Sequence, residues 1–156
     1  MPEWSEPSTA THTAVARQLR LDVTAKLLDP LAVLLDAAAT TALRRRVEAE
    51  ADVWAAQVTG RNERLARETA TRIVSAVYQD GPEFAPPASW WRTPFGDLVA
   101  RRFGHPTADV VPVAVAGAML GITRQGVHDL VRRGKLDRDP GGGVLARSVR
   151  DRLNPV

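Results

Sequence analysis

The 156-residue chain has no cysteine, so it has neither a disulfide framework nor a thiolate metal site, and a reducing cytoplasm is its expected location. It has no long apolar run either. The longest, Leu31 to Leu43, is interrupted by Asp36 and falls far short of the roughly 20 residues that a membrane span requires. Met1 to Ala10 carries Glu3 and Glu6 and no basic residue, the wrong charge and polarity for a secretory signal. Lysine is almost missing: Lys26 and Lys135 are the only two, a bias that we attribute, with the alanine richness, to a GC-rich genome.

Groups for catalysis are equally sparse. Chemistry needs an acid, a base or nucleophile, or a set of metal ligands converging on one place. His12 lies near the terminus, His105 precedes a proline in a loop and His128 falls on a helix, so no spacing suggests a shared metal. Asp137 and Asp139 lack a third acidic partner and read as hairpin residues. The expectation is a protein that is not an enzyme and holds no metal or cofactor.

The hydrophobic share of 44% and charged share of 25% are those of an ordinary globular protein, with length for one domain or two small ones. The net charge of +3 is unevenly spread. Residues 101–156 carry a net +5 and residues 1–100 a net −2, so the C-terminal third is where a polyanion would bind.

Residues 1–80 read as helix, with apolar residues three or four apart. A first helix is expected from about Thr11 to Leu28, with Val15, Leu19, Val23 and Leu27 on one face. Asp29–Pro30 is a capping junction for a second, which presents Leu31, Leu35, Ala38, Leu43, Val47, Trp54 and Val58 inward before a left-handed stop at Gly60. Asn62 caps a third, with Leu65, Thr69, Ile73 and Val77 inward, ending near Asp80–Gly81. The run Arg44–Arg46 is either a phosphate patch or, as we favour, a solvated face compensated by Glu48, Glu50 and Asp52. Residues 81–104 form a Pro- and Trp-rich linker with a short helix ending at Phe103. There Trp90 and Trp91 either pack the connection onto a domain or stack on a ligand or base.

The informative stretch is Val113 to Arg133. A first helix, with Val113, Ala116 and Leu120 inward, is followed by Gly121 at a tight turn that needs a positive backbone angle. Thr123 caps a second helix that buries Val127, Leu130 and Val131. Its outer face is Arg124, Gln125 and His128, with Arg132 and Arg133 at the far end, residue types that hydrogen-bond base edges and phosphates. Gly126 adds no side chain, which would permit close approach to DNA.

The run from Gly117 through Leu120-Gly121-Ile122-Thr123-Arg124-Gln125 to Val127, Leu130, Gly134 and Leu136 resembles the helix-turn-helix of MerR-like and excisionase-like modules. It departs from them at Gly117, where alanine is usual, at Gly126, and in having its helical domain in front. The resemblance implies a wing from Leu136 to Ala146 with its tip at Pro140–Gly143, a final helix from Arg147 to Leu153, and contacts to phosphates or to the minor groove from Arg138 and Arg147.

The expected architecture is mainly α: a helical hairpin or three-helix bundle (1–80), the linker (81–104) and a winged helix-turn-helix with a small two-stranded wing (105–156). The expected function is sequence-specific binding of double-stranded DNA in transcription regulation. Arg124, Gln125 and His128 read bases, while Thr123, Arg132, Arg133, Lys135, Arg138 and Arg147 hold the backbone. A homodimer through the N-terminal helices, with no membrane and a cytoplasmic, nucleoid-associated location, completes the reading. The alternatives are an interaction protein, such as an antitoxin or assembly adaptor, whose helical domain binds a protein partner, and an excisionase-like protein that bends DNA.

Overall fold

The computed structural model describes residues 4–155. Residues 1–3 and 156, the outer ends of the two expected domains, lie outside them. The chain is mainly helical with one two-stranded antiparallel sheet, and it divides into two compact units between Glu83 and Phe84. Among the described residues no helix is long and apolar enough to cross a membrane.

In the N-terminal unit, α1 (Thr9–Val23) starts where the Ser8 side chain accepts from the Thr11 amide. It does not end at Asp29. A π turn over Thr24–Leu28 leads straight into α2 (Asp29–Leu34), and the Asp29 amide bonds back to the Thr24 carbonyl. The turn inserts one residue, so the inward face runs Val15, Leu19, Val23 and then Leu28 (5% exposed), leaving the expected Leu27 39% exposed. The chain breaks instead at Asp36, whose carboxylate accepts from the Ala39 amide at 2.8 Å and caps α3 (Ala37–Thr59). Gly60 closes that helix in extended conformation (φ −74°), not in the left-handed turn expected.

Asn62 caps α4 (Glu63–Ile73) as expected, accepting from the Leu65 amide at 3.1 Å, and a second π turn, Val74–Tyr78, ends it before Asp80. Here α1 and α4 both pack on α3, which meets them with Ala51, Ala55 and Val58. Burial, and then the bond to Asp22, push the Tyr78 hydroxyl well above its ordinary pKa, so it stays protonated and donates to that carboxylate at 2.6 Å. Of the second helix's expected inward residues only Val58 is buried. Leu31, Leu35, Ala38 and Leu43 are exposed, as is Leu65 on α4. The reason is that α2 buries no residue and that α3 buries only Thr40 before Ala51. The arginine run makes side-chain pairs, Arg44 with Asp29 and Arg46 with Glu50.

In the C-terminal unit the expected linker is largely folded. A 3₁₀ turn, Ala88–Arg92, buries Trp90 (6% exposed) and Trp91 (3%) with ring centroids 4.9 Å apart at 85°, and Phe84 packs edge-on to both. Thr93 then caps α5 (Pro94–Phe103), and Gly104 (φ 77°) closes it. A strand the sequence did not announce, β1 (Val110–Val111), precedes α6 (Val113–Leu120) and α7 (Arg124–Arg132). It pairs antiparallel with β2 (Val144–Leu145), which leads into α8 (Ala146–Leu153). Phe95, Val99, Val127 and Val149 are fully buried at the centre of this unit.

Candidate nucleic-acid interface

The segment from α6 to α8 holds every residue expected to touch DNA, and the turn between α6 and α7 sets their arrangement. Gly121 adopts φ 70°, ψ 31°, the left-handed conformation that glycine enters without penalty. The Ile122 amide then returns to the Gly117 carbonyl at 2.9 Å. Gly117 has its own reason. A β-carbon there would lie 2.9 Å from the Ile122 carbonyl oxygen, so the glycine lets the turn fold against α6. Ala116 and Met119 are buried, while Val113 and Leu120 are half-buried.

The Thr123 hydroxyl accepts from the Gly126 amide at 3.0 Å and starts α7. Val127 is fully buried, whereas Leu130 and Val131 are half-buried. The opposite face carries Arg124, Gln125 and His128, all exposed, and Arg132 and Arg133 follow at its end. Asp129 sits among them. It accepts from the Gln125 amide nitrogen at 3.3 Å and pairs with Arg132, so two of the expected contacts already have an intramolecular partner. That arrangement was readable from the i, i+4 and i, i+3 spacings, and our reading of the outer face missed it. Arg124 and His128 make no side-chain hydrogen bond or ion pair among the described residues.

Beyond α7, Gly134 (φ 69°) turns the chain while the Lys135 amide bonds to the Leu130 carbonyl at 2.8 Å. A hairpin follows. The Asp139 amide donates to the Gly143 carbonyl at 3.0 Å, and the Asp139 carboxylate accepts from the Gly141 amide at 2.9 Å, which ties Asp139 to the hairpin tip. The Asp137 amide donates to Ser148 on α8. Gly143 (φ 85°) is where β1 comes close: a β-carbon would stand 2.7 Å from the Val111 carbonyl oxygen. Arg138, bridged to Val144, lies on the hairpin and Arg147 in the first turn of α8. Arg133, Lys135, Arg138 and Arg147 are all exposed, without an ion pair among the described residues.

Sequence reading also passed over Arg92. It ends the 3₁₀ turn, is exposed, and brings its guanidinium to the turn between α6 and α7. Its placement more than 20 residues upstream in sequence hid it. Elsewhere in this unit, burial lowers the pKa of His105, whose ring contacts Phe84 and Trp91. No group of three or more metal-ligating His, Cys, Asp or Glu side chains occurs among the described residues.

No curated protein and no solved structure matches the chain. A family model described as the MftR C-terminal domain matches residues 88–148, from the 3₁₀ turn to the start of α8. The comparison thus names a different kind of regulator from the MerR-like and excisionase-like modules that the motif resembles. Over those residues the chain is similar to the C-terminal domain of a TetR-family transcriptional regulator.

Proposed function

We propose that this protein is a dimeric transcriptional regulator that reads double-stranded DNA with α7 in the major groove. The observation that carries the reading is the outer face of that helix. Arg124 and His128 stand exposed and unpaired on a short helix held by a left-handed glycine turn, a threonine cap and a buried Val127. Arg124 suits the two acceptors of guanine, and Gln125 suits adenine once it leaves Asp129. Thr123, Arg132, Arg133, Lys135, Arg138 and Arg147 hold the phosphates on either side. The similarity of residues 88–148 to a TetR-family domain supports the regulatory role, and DNA in the cytoplasm is its place of action.

One copy of a nine-residue recognition helix gives modest affinity, and two copies bind paired half-sites. Leu31, Leu34, Leu35 and Leu43, exposed at the hairpin end formed by α2 and the start of α3, support self-association there. TetR-family regulators typically act as dimers, which favours a second copy over an unrelated protein partner.

The test is fluorescence anisotropy with a duplex selected by the protein from a random library and with its scrambled counterpart. Arg124→Ala should cost about 1–3 kcal/mol on the selected duplex and shrink the preference between the two. Equal, weak binding to both duplexes that vanishes as salt rises would reduce the interface to a basic surface.

A further inference from the structure

Arg92 lies outside every motif of the sequence, yet it is built into the same surface. Its backbone is fixed on both sides. Trp90 and Trp91, just before it in the turn, are buried, and both the Thr93 amide and the Thr93 hydroxyl donate to the Trp90 carbonyl, at 3.1 and 2.6 Å. The 3₁₀ turn it ends packs on α6. From that platform the guanidinium reaches the helix-turn-helix corner: a β-carbon at Gly121 would meet Arg92 Nε and Nη2, each at 3.9 Å, and nothing else within 4 Å.

The cation is exposed and has no ion pair among the described residues, although Arg20, Arg44, Arg46, Arg61 and Arg101 all have carboxylate partners. It therefore keeps its full hydrogen-bonding capacity for something outside the chain. Arg124 stands three residues beyond Gly121, also unpaired. A helix roughly 10–12 Å across fills a groove about 12 Å wide, so whatever flanks the N-terminal end of α7 meets the phosphate wall rather than a base edge.

We infer that Arg92 is a DNA-backbone contact, gripping a phosphodiester beside the N-terminal end of α7. The inference rests on the DNA-binding reading above. Guanidinium is the group suited to it, since its planar fork engages two oxygens of one phosphate.

The test compares wild type, Arg92→Gln, Arg92→Lys and Arg124→Ala on the selected and scrambled duplexes across a series of salt concentrations, with circular dichroism to verify each fold. Arg92→Gln should weaken binding severalfold and equally on both duplexes, and should lower the slope of log K against log salt by about 1, while Arg92→Lys keeps the slope. Arg124→Ala should instead reduce the preference. If Arg92→Gln binds as wild type does while Arg124→Ala loses preference, the inference on Arg92 falls and the function stands. If Arg92→Gln alters the preference, it acts on bases and the backbone assignment is overturned. If wild type binds neither duplex, the function and this inference fall together.

Discussion

His105 shows how one side chain makes the C-terminal unit sensitive to pH. Its ring lies 5.5 Å from Phe84 and 5.6 Å from Trp91, and Nδ1 accepts from the Thr107 amide at 3.2 Å, which requires the neutral form. Burial lowers its pKa below the ordinary 6.5, so the unfolded chain takes up a proton that the folded chain refuses. The stability it contributes is complete above the unfolded pKa and is lost as pH falls through the folded one. Melting temperature should therefore drop between about pH 7.5 and about pH 5.5, and His105→Asn should remove part of that drop. Identical pH dependence in the two proteins would sink this account. The structural roles in the segment from α6 to α7 were largely legible, because Thr123, Gly121 and Val127 act through local rules of capping, turn and face. Gly117 was not. Its purpose is the approach of the Ile122 carbonyl, a contact with no sequence signature.

At the scale of elements, α7 carries a conflict at Gly126. Glycine inside a helix costs roughly 1 kcal/mol relative to alanine, and a β-carbon there would make ordinary contacts of 3.4 Å with Ile122 and Thr123. Gly126→Ala should therefore raise stability by about 1 kcal/mol in chemical denaturation while weakening affinity for the selected duplex. A gain in stability with unchanged affinity would mean that close approach to DNA is not what the glycine serves. The helices of the N-terminal unit were legible as helices but not in phase. Four-residue spacing carries Val15, Leu19 and Val23 correctly, then fails at Leu27 because the π turn adds a residue and hands the inward position to Leu28. Likewise β1 has only two residues and exists by pairing with β2, a long-range contact that local pattern cannot announce.

For the whole molecule, the aliphatic residues at the hairpin end are the largest disagreement between pattern and packing. Val33 and Leu34 are 86% and 78% exposed on a helix that buries nothing. Sedimentation should find a dimer, and Leu34→Glu should shift it to monomer and weaken DNA binding without unfolding either unit. A monomer in the wild type would turn attention to a different protein partner. Under the proposed function, Asp129 also shapes which DNA is tolerated. A wrong base opposite Gln125 leaves its side-chain amide with the bond to Asp129 that it already has, which softens the cost of the mismatch. Arg124 and His128 have no such fallback. The operators of this protein are then strict at the bases that Arg124 and His128 meet and permissive at the one opposite Gln125, so that its targets form a graded family of related sites and not a single word.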